Sequence, residues 1–264
     1  MTKHLSIIIF LLLATVIVAC ASESPVATTA TAPAATNPPP TEPASSPTPV
    51  VPTVVPVAQP VAGDDVMTVG DEGDTTVDTT SLDNVLSQQD SMALNEQEVA
   101  DLLFMREEEK LAHDVYLTLY EQWGLRIFQN IANSELTHTE AIRTLLVRYD
   151  LADPALDRAV GVFANEGLQA LYDQLVAQGS QSLVAALQVG ATIEDLDIVD
   201  LQNAVARTDN ADIVLVYENL MKGSRNHLRA FIATLQKQNG EYQPQYLDQA
   251  AYEAIISSPM ERGK

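Results

Sequence analysis

Apolar residues recur three to four positions apart along most of the chain after residue 92. This is the period of an amphipathic helix, in which such positions share one face. The pattern predicts a first helix over 92–124 and a second over 126–149. Asn95 and Glu98 have the spacing of a capping box, which favours a helix start at this point.

The same period continues toward the carboxyl end, with a predicted break at Gly190. The further predicted helices are 165–177, 182–188, 192–206 and 211–238. Strand-like alternation is nowhere sustained. We therefore predict an all-α fold over residues 92–264, a four-helix bundle with accessory short helices, onto which a Tyr-rich tail over 242–259 packs back.

The preceding residues lack this period. Residues 21–60 consist mainly of Ala, Thr, Ser, Val and Pro and contain most of the 14 prolines, and residues 62–90 are rich in Asp, Gly and Thr. Such segments cannot bury enough apolar surface to offset the entropy lost on ordering. Residues 20–91 are therefore predicted to be a disordered linker, first Pro/Thr/Ala-rich and then acidic.

The amino terminus has the pattern of an export signal. Leu5 to Val18 form an apolar run of about 14 residues, shorter than the roughly 20 that span a membrane. The run ends at Ala19-Cys20, and Ile17 to Cys20 resembles the lipobox of bacterial lipoproteins. The resemblance implies cleavage of residues 1–19 and lipidation of Cys20. A plain signal peptide with a chance cysteine is the alternative.

The net charge of the chain disfavours some classes of binding partner. The formal net charge is −22, which disfavours nucleic acid and anionic lipid surfaces as ligands. We therefore expect the acyl chains on Cys20 to hold the protein at a membrane, with the folded domain outside the cytoplasm. Because Cys20 is the only cysteine, the domain contains no disulfide.

The most informative local pattern is Glu135-Leu-Thr-His138 in the second predicted helix. A spacing of three places both side chains on one face, which also carries Phe128, Ile131 and Ile142. A carboxylate on such a face requires a partner, and a metal ion would serve. The motif alone is weak, since Glu-x-x-His occurs by chance in many helices.

Three other predicted helices also turn acidic or imidazole groups toward the interior. On the first helix Glu108 and Glu109 both fall within the apolar sector, and periodicity does not choose between them. On the fifth, Glu194 and Asp197 share a face with apolar residues, and on the last, His227 does so. Carboxylates and Glu-x-x-His pairs from four helices hold paired metals in ferritin-like bundles.

Simpler interpretations of these residues remain open. The acidic run 107–109 can be a solvated face. Glu194 and Asp197 can be first-turn acids that the helix dipole favours. His227 can be a core histidine whose nitrogens are satisfied by hydrogen bonds.

Residues 98–259 resemble an uncharacterised ferritin-like family, the domain of unknown function numbered 2202. The resemblance is carried by three blocks, at 106–112, 189–198 and 223–231. Glu109, followed by Tyr116 seven positions later, is similar to the first ligand helix of rubrerythrins and ferritins. This likeness selects Glu109 over Glu108.

The resemblance implies a di-iron or manganese site held by carboxylates and imidazoles. Ferritin-like dimetal proteins carry a second Glu-x-x-His on the last helix, whereas this chain has Ser224 three residues before His227. We infer that a carboxylate on the neighbouring helix replaces it. The candidate metal ligands are Glu109, Glu135, His138, Glu194, Asp197 and His227.

The sequence thus predicts an exported, lipid-anchored, ferritin-like protein that binds iron or manganese, with a site of the oxidase or peroxidase type. The alternative is a surface-displayed binding or structural module with a degenerate metal site. Ser224 is the residue that favours the alternative.

Overall fold

The computed structural model describes residues 66–262. Within them the chain forms a two-stranded hairpin and seven helices: β1 Met67–Val69, β2 Thr75–Val77, α1 Thr79–Leu86, α2 Glu96–Trp123, α3 Arg126–Arg148, α4 Glu166–Gly179, α5 Leu183–Val205, α6 Ala211–Lys237 and α7 Gln249–Ser257. The predicted signal peptide, Cys20 and the Pro-rich part of the linker lie outside the described residues. None of the helices in 66–262 has the length and apolar character of a membrane span.

Helices α2, α3, α5 and α6 form a four-helix bundle, which confirms the predicted all-α class. Helix α2 packs along α3, and α5 packs along α6. Asn95 and Glu98 form the expected capping box, and α2 ends at Gly124 in the left-handed conformation, with φ of 64°. Glycine adopts this conformation without strain, so α3 follows almost at once as an antiparallel neighbour.

The accessory helices lie on the outside of the bundle. Helix α1 packs on α3, α4 packs on α2 and α5, and α7 packs on α6. Inside, aromatic rings from α2, α3 and α6 meet. The ring centroids are 5.1 Å apart for Tyr116 and Phe231, and 5.8 Å apart for Phe128 and Phe231.

The predicted break at Gly190 is wrong, because α5 is one continuous helix. A Cβ atom at Gly190 would lie 2.4–2.6 Å from the Phe231 ring. The glycine is therefore needed for close packing between α5 and α6 rather than for ending a helix. As a result Glu194 and Asp197 are in the middle of a helix, which removes the interpretation that they are first-turn acids.

The predicted linker also extends too far toward the carboxyl end. Residues 66–86, expected to be part of it, form the β1–β2 hairpin and α1. Strand β1 pairs antiparallel with β2, with Met67 opposite Val77. Val66, Met67, Val77, Leu82 and Leu86 are buried in the core. These apolar positions are few and interrupted by Asp and Gly, so they form no long period in the sequence.

The tail after α6 packs on the bundle, as predicted. Asp195 on α5 accepts hydrogen bonds from the hydroxyl of Tyr242 and from the backbone N–H groups of Gln245, Tyr246 and Leu247. Farther along, Tyr252 on α7 is buried. One carboxylate on α5 therefore fixes the path of the tail across the bundle.

Candidate metal centre

The centre of the candidate site is a buried group of one carboxylate and two imidazoles. Glu135 and His138 lie one turn apart on α3, and His227 lies opposite on α6. Glu135 Oε2 is 2.8 Å from His138 Nδ1, and Glu135 Oε1 is 2.8 Å from His227 Nδ1. One ligand atom from each residue falls within 4.8 Å of the others. Each oxygen of Glu135 thus faces a different histidine.

Two further carboxylates flank this group. Glu109 on α2 lies on the His138 side, with Oε2 at 3.5 Å from His138 Nδ1. Glu194 on α5 lies on the His227 side, with Oε2 at 3.4 Å from His227 Nδ1. All four bundle helices therefore contribute a side chain, as the inward-facing acidic and imidazole positions predict.

The close contacts in this group are not aligned as hydrogen bonds. Among the described residues, the Nδ1 atoms of His138 and His227 have no hydrogen-bond partner, although carboxylate oxygens lie near them; Oε1 of Glu109 and of Glu135 are likewise unpaired. Buried polar atoms are nearly always hydrogen-bonded. Nitrogen and oxygen atoms that converge without bonding to one another have the chemistry of a donor set for a first-row metal ion.

Asp197 lies in the same buried region but contacts a different residue. Ser224 on α6 donates a hydrogen bond to Asp197 Oδ2, while Asp197 Oδ1 is buried without a partner. The serine that stands where a Glu-x-x-His motif would have its carboxylate is therefore joined to a carboxylate from the neighbouring helix.

Tyr116 contacts the carboxylate that flanks His227. Its hydroxyl donates a 2.6 Å hydrogen bond to Glu194 Oε1. Burial, and then the charge of Glu194, raise the pKa of Tyr116 well above its usual value, so the phenol stays protonated. Tyr116 thus holds one oxygen of Glu194 and leaves the other facing His227.

Burial and charge pairing shift the titration of the group. Burial alone would lower the pKa values of His138 and His227, but Glu135 together with Glu109 for His138, and with Glu194 for His227, outweighs burial and raises them to about 10 and about 9. Burial raises the pKa of Glu109 and of Glu194 to about 7. Burial would also raise the pKa of Glu135, but the two imidazoles lower it. A cation that bound to these residues would therefore displace protons from them.

The acidic run on α2 divides into different environments. Glu109 contacts His138, whereas Glu108 is 4% exposed and neither of its carboxylate oxygens has a hydrogen-bond partner in the described chain. Burial, followed by the nearby Asp200, raises the pKa of Glu108 well above its usual range. Glu107 accepts hydrogen bonds from the backbone N–H groups of Ala164 and Asn165. None of the three is a solvated surface residue.

Thr75 also contacts this group, although the sequence predicts that it lies in the linker. Its side chain on β2 is 2% exposed, and Oγ1 lies 2.9 Å from His138 Nε2 and 3.0 Å from His227 Nε2. A signal was present, since Thr75-Thr76-Val77 is a β-branched run that follows a Gly- and Asp-rich turn. A three-residue strand is too short for its alternation to stand out.

Comparison with known proteins places these residues in a family. Residues 98–259 match the family described as "Uncharacterized protein domain (DUF2202)". "Uncharacterized protein MJ0754" of Methanocaldococcus jannaschii is 55% identical over 170 residues, which are 64% of this chain and 92% of that relative. A crystal structure of hypothetical protein MJ0754 aligns with a TM-score of 0.65 and 53% identity, over 66% of this chain and 99% of that chain. The chain therefore belongs to the DUF2202 family.

Proposed function

We propose that the bundle is a ferritin-like metal centre that binds a pair of iron or manganese ions. The observation that carries the proposal is the convergence of Glu135, His138 and His227, whose buried nitrogen and oxygen atoms face one another without hydrogen bonds. A group of this kind is costly to bury unless something binds between its members. A divalent cation would satisfy all three residues together.

The positions of the flanking carboxylates favour two ions rather than one. Each oxygen of Glu135 faces one histidine, and each histidine has its own second carboxylate, Glu109 or Glu194. Glu135 would therefore lie between two half-sites, each with one histidine and one further carboxylate. Asp197, with one oxygen free and the other held by Ser224, would supply the remaining carboxylate.

The chain's own part is to bind and orient these ions away from water. Paired iron ions, when bound, supply the reduction of dioxygen or peroxide, and the same ligand types accept manganese. Every proposed ligand is buried. The Tyr116 hydroxyl, hydrogen-bonded to Glu194, would keep that carboxylate in place.

Metal analysis of the full-length chain in detergent tests this proposal. After anaerobic loading with excess Fe(II) or Mn(II) and removal of unbound ions, we expect about two ions per chain, the number that ferritin-like bundles hold. Glu135→Gln should abolish the uptake with the helical content unchanged. The control is Glu140→Gln on the same helix, whose carboxylate pairs with Arg143 at 3.0 Å and with Arg106 at 3.7 Å and contacts none of the proposed ligands.

A surface-displayed module with a degenerate site is the second candidate, and Ser224 is the observation that favours it. The same measurement decides between the two. Retention of less than about one ion per chain by the wild-type protein would rule out the dimetal centre, since such a centre requires two. It would leave the bundle as a binding or structural module.

The proposed location outside the cytoplasm depends on Cys20. We propose that the mature chain begins at this residue and carries acyl chains on its thiol, since the Ile17 to Cys20 segment resembles a lipobox. Growth of the expressing bacterium with labelled palmitate should label the wild-type protein and not Cys20→Ser. Equal labelling of both would disprove the anchor.

A further inference from the structure

The hairpin ahead of the bundle reaches the metal centre through one hydroxyl group. Thr75 on β2 lies outside residues 98–259, the part that matches the family. Its Oγ1 contacts both His138 Nε2 and His227 Nε2, at 2.9 and 3.0 Å. These are the ring nitrogens that face away from Glu135.

A single hydroxyl can serve both rings. A threonine oxygen has two lone pairs and can accept two hydrogen bonds. In this arrangement each Nε2 carries a hydrogen and donates it to Thr75. Each Nδ1 faces the carboxylates. In a neutral ring with that tautomer, Nδ1 has the lone pair that a metal ion requires.

We propose that Thr75 is a positioning residue that fixes the tautomer and orientation of both histidines, so that the amino-terminal hairpin completes the metal centre. This inference rests on the proposed function. A hydrogen bond to the distal nitrogen of a metal-binding histidine commonly sets ring orientation and affinity. Here one neutral oxygen does so for two ligands on two helices.

The backbone holds Thr75 in register with the ligand helix. The N–H of Thr75 donates a 2.8 Å hydrogen bond to Ser134 Oγ, and the N–H of Val77 donates a 3.0 Å hydrogen bond to Thr137 Oγ1. Ser134 and Thr137 directly precede Glu135 and His138 on α3. The hairpin is thus hydrogen-bonded to the same turn of α3 that supplies two of the proposed ligands.

Close packing leaves room for the threonine but little else. Gly223 on α6 lies against this point, and a Cβ atom there would be 2.5 Å from the His138 ring and 3.3 Å from Thr75 Oγ1. The hydroxyl therefore occupies a tight space between α3 and α6.

Thr75→Val and Thr75→Ser test the inference, with Thr144→Val as the control. Valine keeps the shape but cannot accept a hydrogen bond, whereas serine retains the hydroxyl. Thr144, on the same helix as His138, hydrogen-bonds only to the Glu140 carbonyl oxygen among the described residues. The first readout is ¹⁵N-histidine NMR of the metal-free full-length chain, and the second is Co(II) affinity with the visible spectrum of the bound ion.

We expect two slowly exchanging Nε2–H signals in the wild-type, Thr75→Ser and Thr144→Val proteins, and their loss in Thr75→Val. Co(II) affinity should fall about 10- to 100-fold in Thr75→Val, with a changed spectrum, and recover in Thr75→Ser. Absence of slowly exchanging Nε2–H signals from the wild-type protein would overturn the inference even if Thr75→Val did not fold. A folded Thr75→Val with wild-type signals, affinity and spectrum would overturn it as well.

The two proposals fail separately. If the wild-type protein takes up no metal but its Nε2–H signals depend on the hydroxyl as expected, the metal function fails and the positioning of both histidines by Thr75 is upheld. If metal uptake is normal and unaffected by Thr75→Val, the positioning role fails and the metal function stands.

Discussion

The imidazole rings of His138 and His227 stack on each other, with centroids 5.3 Å apart and planes inclined by 19°. The rings also have the same orientation, since both Nδ1 atoms face Glu135 and both Nε2 atoms face Thr75. Two like-charged imidazolium rings would repel each other at this distance. Their charge in the metal-free protein is offset by the carboxylates on the Nδ1 side.

This balance should make the metal-free protein sensitive to alkali. The pKa values of His138 and His227 are raised to about 10 and about 9 in the folded chain, from 6.5. The folded state then binds more protons than the unfolded state, so the stabilisation is complete below about pH 6.5 and is lost as the pH rises through both folded values. We expect the Tm of metal-free protein to fall steadily between about pH 6.5 and pH 10.

The glutamates add to this trend at lower pH. The pKa of Glu109 and of Glu194 is about 7, raised from 4.5, so stability already begins to decline above about pH 4.5. Thermal unfolding monitored by circular dichroism across this range measures the slope. Saturation with Mn(II) is the control, because bound metal displaces the protons and its stabilising effect should grow with pH. A flat profile for the metal-free protein would contradict the assigned charges.

Asp197→Asn separates the role of this residue in the loaded and the metal-free protein. Burial, and then the charges of Glu109 and Glu108, raise the pKa of Asp197 well above its usual value. The neutral amide should therefore stabilise the metal-free protein, and its oxygen can still accept the hydrogen bond from Ser224. Mn(II) affinity should fall at least about tenfold, as expected on loss of a ligand.

Calorimetric titration with Mn(II) and thermal unfolding together measure both effects. Asp173→Asn, at an exposed position on α4, is the control and should change neither quantity. Unchanged Mn(II) affinity in Asp197→Asn would remove Asp197 from the ligand set and leave the serine at 224 uncompensated.

Glu108→Gln tests whether Glu108 or Glu109 is the metal ligand on α2. Because the Glu108 carboxylate is buried and unpaired, its replacement by a neutral amide should raise the free energy of unfolding by about 1–3 kcal/mol, with a larger gain at higher pH. Urea unfolding measures the change. Glu107→Gln is the comparison and should destabilise, since its charge is hydrogen-bonded to two backbone N–H groups.

Metal uptake should be normal in Glu108→Gln and impaired in Glu109→Gln. The reverse result would make Glu108 the α2 ligand. It would also show that the likeness to the first ligand helix of rubrerythrins had selected the wrong residue of the pair.

Gly223→Ala should damage the site through packing alone. The added methyl group would meet the His138 ring at 2.5–2.7 Å, so the ring or the helix must shift. We expect a loss of about 1–3 kcal/mol in unfolding free energy, together with weaker Co(II) binding and an altered Co(II) spectrum. Gly167→Ala on α4, where the added methyl meets only the side-chain oxygen of Asn165, is the control. Wild-type Co(II) binding in a folded Gly223→Ala would contradict the close contact.

The sequence predicts which side chains share one face of a single helix. Glu135 and His138 are three positions apart, so any helix through them places both on one face, and the capping box at Asn95 follows from the same local geometry. Contacts between distant segments were not predictable in this way. From the sequence alone, Gly190 indicates the end of a helix. Its actual role depends on the Phe231 ring, which occupies the space beside it.

The same reason explains why the sequence does not predict the contacts of Thr75. Its partners are 63 and 152 positions away in the chain, and no local period connects them. Its surroundings are acidic and rich in Gly, a composition that usually indicates a linker. Charge and turn residues outweighed the few buried apolar positions of the hairpin.

The position of Thr75 has a practical consequence for the design of expression fragments. A fragment cut at the boundaries of the matched region, 98–259, would retain the candidate ligands and lose the oxygen that contacts both histidines on their outer side. If Thr75 positions both histidines as proposed, such a fragment should bind metal poorly. The family match therefore does not delimit the folded unit that the structure describes, and fragments for metal studies should include Val66 and the hairpin.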